Sequence, residues 1–223
     1  MSEEQKVLTK EIAKQYIANP ASCSLRSFAS LADDAAKTLS KHKGDLKLNG
    51  LTELSDAAAT FLSKHKWNLE LNGLTSLSDV AAESLSKFKE RLDFTSLTQL
   101  SDAAAESLSK HKRYLNLDGL TALSDAAAES LSKHKESLSL NGLTSLSDAA
   151  AKSLSKHEGE GYLNLNGLTS LSDAAAESLS EYGAALSLKG LTALSDAAAE
   201  SLAKHPELVV KDDLKAVIGK YRQ

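Results

Sequence analysis

The sequence has few of the residues that support disulfide-bonded, aromatic-rich or membrane-spanning proteins. It contains one cysteine, one tryptophan and two prolines, and aromatic residues make up only 4% of its 223 positions. The single cysteine, Cys23, cannot form an intramolecular disulfide, and we expect it to be a small buried hydrophobe. The shortage of rings excludes a base-stacking surface for single-stranded nucleic acid. No segment approaches the roughly 20 apolar residues that a transmembrane helix requires.

An excess of charge of either sign is also absent. The formal net charge is -4, and 26 basic residues are interspersed with 30 acidic ones. Interspersed charge provides little long-range attraction for a phosphate backbone. The N-terminal segment lacks the apolar stretch of about 7 to 15 residues that a signal peptide needs. We therefore expect a soluble cytoplasmic protein that binds neither nucleic acid nor membrane.

The dominant feature of the chain is internal repetition. The segment at residues 138–157, LSLNGLTSLSDAAAKSLSKH, recurs with few changes along most of the sequence. With the first leucine of each Leu-x-Leu pair as the start, the copies begin at Cys23, Leu46, Leu69, Leu92, Leu115, Leu138, Leu163 and Leu186. Their spacing is 23 residues, except for 25 between Leu138 and Leu163, where an insertion within residues 158–161 is predicted to lie in a surface turn. A period of this length indicates a solenoid.

The first half of each copy has the pattern of a strand and a turn. Leu138 and Leu140 alternate with polar residues, which predicts a short strand with one buried face. Leu143 and Leu146 then predict a turn that keeps its leucines directed inward.

The second half of each copy has the period of a helix. Apolar positions recur at i, i+1, i+4 and i+7, as in Ala127, Ala128, Leu131 and His134. Ser124 or Asp125 occupies the N-cap position. Acid-first pairs at i, i+4 support an exposed helix face, namely Glu83/Lys87, Glu106/Lys110, Glu129/Lys133 and Glu200/Lys204. Because the leucines of one copy cannot offset the entropy of ordering its backbone, successive copies must stack.

The two ends depart from the repeat and are predicted to cap it. Residues 1–22 contain a charged segment and, after Thr9, an amphipathic helix that ends near Asn19. Residues 23–207 hold the eight repeats, and residues 208–223 contain a strand and a final amphipathic helix. An array needs atypical ends to protect its open faces, and capped ends predict a monomer.

The Leu-x-Leu strand, the following leucines, the helix and the period together resemble the leucine-rich repeat family across residues 23–210. The segment LSDAAAESL is similar to the helical half of its bacterial and ribonuclease-inhibitor-like members. The resemblance implies an α/β fold: a right-handed solenoid, shaped as a horseshoe or arc, with a parallel β-sheet on the concave face and short α-helices on the convex face. Members of the family usually bind proteins or peptides across the sheet.

One position departs from the family pattern. The family places an asparagine three residues after the second leucine, whereas this chain has Phe28, Leu51, Leu74, Leu97, Leu120, Leu143, Leu168 and Leu191 there. Asparagines occur two residues earlier instead, at Asn49, Asn72, Asn141 and Asn166. By strand alternation, we expect these side chains to point outward.

The six histidines occupy one column of the repeat, which favours packing over catalysis or metal binding. They are His42, His65, His111, His134, His157 and His205. Phe88 and Tyr182 fill the column in the two other copies, so the position requires a flat ring near the helix end. Two ligands of one zinc ion need nitrogens about 2 Å from the metal, whereas packed helices lie about 8 to 10 Å apart.

Aspartates form a second, unbroken column: Asp33, Asp56, Asp79, Asp102, Asp125, Asp148, Asp173 and Asp196. Paired carboxylates can act as acid and base, and a carboxylate ladder can bind calcium, but each aspartate stands where a helix begins. We therefore predict that they cap helices. Recurrent serines such as Ser130 and Ser132 provide no unique nucleophile, and an active site needs a unique convergence of groups. We predict no enzyme activity, catalytic residue, metal site or cofactor.

Specificity is expected where the copies differ, on the outward positions of the predicted strands. Adjacent strands are about 4.8 Å apart, which should place Arg91, Tyr114 and Tyr162 in one patch. Tyrosine and arginine often anchor protein interfaces, so the predicted partner is a protein or peptide. The predicted partner-binding residues are Arg91, Tyr114, Tyr162, Asn116, Asp93, Asn164 and Glu70.

Three other interpretations remain open. The first is a sheet that is solvated and has no partner. A regular hydroxyl column could organise surface water, ice or glycans, or support self-assembly, through Thr52, Thr75, Thr98, Thr121, Thr144, Thr169 and Thr192. A consensus-like designed scaffold would also have this regularity, although irregular copies such as LDFTSL at residues 92–97 favour a natural chain.

Overall fold

The computed structural model describes residues 6–157 and 159–222, and within them ten strands and ten α-helices alternate along the chain. The strands are β1 (Val7–Leu8), β2 (Ser30–Leu31), β3 (Leu46–Lys47), β4 (Leu69–Glu70), β5 (Leu92–Asp93), β6 (Leu115–Asn116), β7 (Leu138–Ser139), β8 (Leu163–Asn164), β9 (Leu186–Ser187) and β10 (Leu208–Val209). The helices are α1 (Lys10–Ala18), α2 (Asp33–Leu39), α3 (Asp56–Leu62), α4 (Asp79–Leu85), α5 (Asp102–Leu108), α6 (Asp125–Leu131), α7 (Asp148–Leu154), α8 (Asp173–Ser180), α9 (Asp196–Ala203) and α10 (Asp212–Gly219). Most of the predicted charged N-terminal segment, and Glu158 of the predicted insertion, lie outside the described residues.

The strands are parallel, and each residue pairs with its counterpart in the next coil. Strands β5 to β10 form one sheet in chain order, while β3 pairs with β4 and β1 pairs with β2. In a typical pair, the Leu138 N–H donates to the carbonyl of Tyr162 at 3.0 Å, and the Leu140 N–H donates to that of Asn164 at 2.9 Å. Neighbouring helices pack in the same order. The predicted α/β solenoid of repeated strand–helix coils is confirmed.

The core consists of leucine and alanine columns that run through the array. In the coil that begins at Leu138, the side chains of Leu138, Leu140, Leu143 and Leu154 are fully buried. Each buried leucine contributes about 1.5 to 3 kcal/mol relative to an exposed one. Alanine pairs such as Ala150 and Ala151 line the buried side of each helix, where their small volume allows neighbouring helices to pack closely.

Serines, not aspartates, cap the repeat helices, so the prediction that the aspartate column provides the caps is wrong. Ser147 has extended backbone angles, and its hydroxyl accepts the Ala150 N–H at 3.0 Å. Asp148 follows as the first helical residue, where its charge complements the positive end of the helix dipole. The same arrangement begins α3 to α9, whereas Ala32 precedes α2 without a side-chain cap.

The first coil differs from the others. Cys23 is extended but lies outside any strand, the next residues form a single 3₁₀ turn at Leu25–Ser27, and the cysteine is only partly buried. The N-terminal β1 pairs with β2, which lies beyond that turn and is therefore in a different column from β3 to β10. The predicted N-terminal helix is present as α1, with Thr9 as its N-cap.

The C-terminal end continues the repeat for one more strand, as predicted. β10 pairs in register with β9, joining Leu208 to Leu186. The final helix α10 follows and buries Leu214 and Ile218. Within the described residues, no helix is long and apolar enough to cross a membrane.

A glycine allows consecutive coils to approach closely at the turn after the strand. A Cβ atom on Gly142 would lie 2.1 Å from the backbone oxygen of Asp118 in the preceding coil, which is a severe clash. In the coil that begins at Leu92, the corresponding residue is Ser96. The parallel sheet is interrupted at this coil, because β4 and β5 belong to different sheets. We attribute the interruption to the side chain of Ser96, which cannot fit the glycine site.

Candidate functional site

The two predicted tyrosines come together on the sheet face, defined here as the outward positions of β3 to β10. Tyr114 precedes β6 and Tyr162 precedes β8, and their ring centroids are 6.2 Å apart with planes tilted by 55°. Tyr162 is 46% exposed. The intervening coil contributes Ser137, a small residue whose hydroxyl accepts the Tyr162 N–H at 3.3 Å. A large residue there would compete with the two rings for space.

The hydroxyl of Tyr114 remains protonated at neutral pH. Burial raises the pKa of this tyrosine, while a hydrogen bond with Ser139 acts in the opposite direction. Tyr114 can therefore donate a hydrogen bond as well as present an apolar ring, which is a typical combination at protein interfaces.

Beneath the tyrosines, a polar network fixes the surface of the sheet. The Asp118 carboxylate accepts from the Ser139 hydroxyl at 2.6 Å and from the Asn141 backbone N–H at 2.8 Å. Asn116, predicted as a partner-binding residue, is only 8% exposed, and its amide oxygen accepts the Asp118 N–H at 2.9 Å. Asn116 therefore belongs to the supporting layer, and its accessibility was overestimated from strand alternation.

The asparagine column also links coils, although its side chains were expected to point outward. The Asn141 side-chain oxygen accepts the Asn166 N–H of the next coil at 2.9 Å, and the Asn166 side chain accepts the Lys189 N–H at the same distance. These asparagines are partly buried. Asn141 and Asn166 therefore form a short hydrogen-bonded amide ladder, displaced by two residues from the position that the family pattern indicates.

The charged members of the predicted set, Glu70, Arg91 and Asp93, lie toward the N-terminal end of the sheet face. Glu70 is held by Arg26, 3.1 Å away, and by the side-chain amide of Asn49 at 2.7 Å. Burial raises the pKa of Asp93, Arg91 opposes this rise, and the charge of Glu70 contributes to it. The predicted patch is thus divided into a tyrosine part and a charged part.

A shallow cleft extends the tyrosine part toward the C-terminal end. Its volume is about 350 Å³, and its lining includes Tyr162, Asn164, Ser187, Lys189 and Val209. Val209 is 38% exposed and adds an apolar contact that the sequence analysis missed. The strand itself was predicted, but its outward residue was not counted with those of the repeats; the pairing of Val209 with Ser187 brings that residue onto the sheet face.

The histidine column forms a buried series of rings, as the packing interpretation predicted. His134 is fully buried and lies parallel to His111 at a centroid distance of 6.4 Å. The series continues through His157, Tyr182 and His205, with centroid distances of 5.9 to 6.2 Å. His42 is the partly exposed member, and its ring packs against Tyr16 of α1 at 5.3 Å.

Burial also controls the ionisation of these histidines. It lowers the pKa of His65, His134 and His205, and it lowers the pKa of His111 and His157 to about 4. The rings are therefore neutral at physiological pH. Among residues 6–157 and 159–222, no three His, Cys, Asp or Glu side chains are close enough to share a metal ion.

Three members of the threonine column, Thr52, Thr75 and Thr192, donate their hydroxyl protons to the backbone of the preceding coil. The Thr75 hydroxyl donates to the Thr52 carbonyl at 3.1 Å, and the Thr192 hydroxyl donates to the Thr169 carbonyl at 3.1 Å. A hydroxyl that donates its proton internally can still accept from a ligand or water. The column thus has a structural role and leaves acceptor oxygens at the surface.

The regular coils and parallel sheet identify the molecular class. The chain is a repeat protein with a solenoid architecture. Neither a family model nor a curated protein matches its sequence. Its candidate site therefore rests on the geometry of the sheet face.

Proposed function

We propose that this chain is a non-enzymatic, leucine-rich-repeat binding module that holds a protein or peptide against its sheet face. The observation that carries the proposal is the pairing of Tyr114 and Tyr162 at 6.2 Å on an otherwise polar surface. The leucine columns and the 23-residue strand–helix unit support the assignment to the leucine-rich repeats. The proposal also holds that the protein is a monomer. The strands at its two ends, β1 and β10, belong to different strand columns, so they are not aligned for pairing between two copies of the chain.

The surface suits a peptide with at least one large apolar side chain. The two rings provide rigid apolar area, and Val209 extends that area along the cleft. Asn164 supplies an amide group for hydrogen bonds, and Lys189 places a positive charge at the same cleft. The Ser187 hydroxyl already donates to the Asn166 side chain at 2.7 Å and supports the cleft from within. Tyrosines supported by a rigid framework lose little entropy when they bind, which is why they often dominate binding energy.

A random peptide display selection would test this function. Selected peptides should bind the parent, and the Tyr114→Ala/Tyr162→Ala variant should lose at least about tenfold in affinity, as expected for interface anchors. Val80→Ala is a suitable control, because Val80 is 52% exposed on a helix. Selected peptides that bind both variants as well as the parent would contradict the proposal.

A second candidate function is surface organisation or self-assembly through the threonine column. This function is favoured by the exposed threonines that follow the strands. In Thr75 and Thr192 the hydroxyl is held in place by a hydrogen bond to a backbone carbonyl of the preceding coil. Light scattering at micromolar concentration separates the two functions. A monomer agrees with the binding module, whereas concentration-dependent growth that is lost on Thr75→Val/Thr144→Val would support assembly.

A further inference from the structure

The charges that alternate along the sequence are separated in space by the repeat. Aspartates stand at the first position of each repeat helix, and lysines follow the helix ends. Because the helices are stacked in order, the lysines collect along one edge of the solenoid, called here the basic edge. Its outermost row, exposed in five successive coils, consists of Lys43, Lys66, Lys89, Lys112 and Lys135. The row ends before the last three coils, whose sequence has Glu158, Gly183 and Pro206 at the corresponding positions.

Two clefts lie on this edge, between the ends of successive helices. The larger has a volume of about 780 Å³ and lies between the ends of α4 and α5. Its charged lining residues are Glu83, Lys87, Lys89, Lys110, Lys112 and Arg113. The next cleft, of about 600 Å³, shares Lys110 and Lys112 with it and adds Lys133 and Lys135, together with two acidic residues, Glu106 and Glu136. Together they form a basic groove across the ends of α4, α5 and α6.

Local helix stability explains only part of this charge. Lys87 stands just after α4, where it complements the negative end of the helix dipole and pairs with Glu83 at 3.0 Å. Lys89 lies two residues further on, beyond the helix, so neither role applies to it. Arg113 also departs from the repeat, and its side chain donates to the Lys89 carbonyl at 3.4 Å across the larger cleft. The larger cleft thus combines the repeated lysine row with Arg113, a basic residue that the other coils lack at this position.

We propose that the basic groove binds an extended acidic peptide segment. On one side of an extended peptide, alternate side chains lie about 6.6 to 6.8 Å apart. Successive coils of the solenoid are separated by about 4.8 Å at the strands and by about 8 to 10 Å at the helices, so the peptide spacing falls between these two distances. Spaced carboxylates can therefore reach the lysines of successive coils.

A peptide fits this edge better than a phosphate backbone does. In three successive coils a glutamate pairs with the lysine that follows the helix: Glu83 with Lys87, Glu106 with Lys110 and Glu129 with Lys133. An uninterrupted line of phosphates would therefore meet an anion in each of these coils. A peptide can place neutral residues opposite them. Trp67 is the exposed large aromatic side chain beside the lysine row, and one ring offers little stacking for successive bases.

Fluorescence anisotropy tests the proposal with a labelled peptide of about 12 alternating glutamate and serine residues. The parent should bind it, salt should weaken binding, and Lys89→Glu/Lys112→Glu should reduce affinity at least about tenfold. Lys14→Glu/Lys211→Glu, an equal charge change on exposed cap residues, should leave affinity within about twofold. Lys89→Gln/Lys112→Gln should give an intermediate loss, and circular dichroism should show every variant folded.

Three results would overturn the proposal. They are an absence of binding by the parent, an equal loss in both charge-reversal pairs, and tighter binding of a single-stranded oligothymidylate of the same length. Neither Tyr114 nor Tyr162 lines the groove, so Tyr114→Ala/Tyr162→Ala should leave binding of the acidic peptide unchanged. The two binding proposals can therefore fail independently.

Discussion

Asp125, the first residue of α6, accepts a hydrogen bond at 2.5 Å from the hydroxyl of Ser147, the residue that caps α7. The same serine oxygen accepts the Ala150 N–H at 3.0 Å. One hydroxyl therefore caps the start of α7 and joins this helix to the preceding coil. The contact recurs between the following pairs of coils: Asp33 and Ser55, Asp56 and Ser78, Asp79 and Ser101, Asp102 and Ser124, Asp148 and Ser172, and Asp173 and Ser195.

Ser147→Ala should destabilise the protein by about 1 to 2 kcal/mol, because it removes both a helix cap and a link between coils. Urea denaturation followed by circular dichroism measures this change. Ser145→Ala is the matched control, since Ser145 is exposed in the preceding turn, and it should change stability by less than about 0.5 kcal/mol. An equal effect of the two substitutions would show that the Asp–Ser contacts do not contribute to coil stacking.

Ser96→Gly should restore the strand ladder between β4 and β5. In the preceding coil the Leu46 N–H donates to the carbonyl of Asn68, so closure would bring the Leu69 N–H to the carbonyl of Arg91. Hydrogen exchange should then show slower exchange at Leu69. The reverse change, Gly142→Ser, should destabilise the protein by about 1 to 3 kcal/mol through overpacking. If the exchange rate at Leu69 did not change, Ser96 would not be the cause of the interruption between β4 and β5.

Sequence predicted the architecture because repetition makes each structural signal appear many times. The alternation of Leu138 and Leu140 specified the strand, and the change to a helical period specified the helix. Contacts between coils were harder to predict, since they join residues one period apart. The Asp125–Ser147 and Asn141–Asn166 contacts are of this kind. The basic edge was missed for the same reason, because charges that alternate along the chain separate only when the coils stack.

His134→Phe should leave the protein folded, with a change in stability below about 1.5 kcal/mol. Phe88 already fills this column as a buried ring two coils earlier, so the site accepts a phenyl group. His134→Ala provides the comparison, because a cavity at a fully buried position typically costs about 2 to 5 kcal/mol. Thermal unfolding measures both variants. If the phenylalanine variant lost as much stability as the alanine variant, the imidazole itself would be required.

The buried histidines also make stability depend on pH. The pKa of His111 and His157 is about 4 in the folded chain and about 6.5 when exposed, so the unfolded chain binds more protons between these values. Their neutral packing therefore stabilises the fold fully above pH 6.5, and this contribution is lost as the pH falls toward 4. Each unit of pKa difference corresponds to about 1.4 kcal/mol for one site.

For the parent, the urea concentration at the unfolding midpoint should fall steeply as the pH is lowered from 7 to 4. The triple variant His111→Phe/His134→Phe/His157→Phe should show a shallower fall over the same range, because phenylalanine cannot take up a proton. Glu136 partly opposes the lowered pKa of His134, so this histidine is expected to contribute less than it would without that carboxylate. Parallel pH profiles for the parent and the triple variant would assign the acid sensitivity to other groups, whereas a flattened profile would assign it to the buried series of rings.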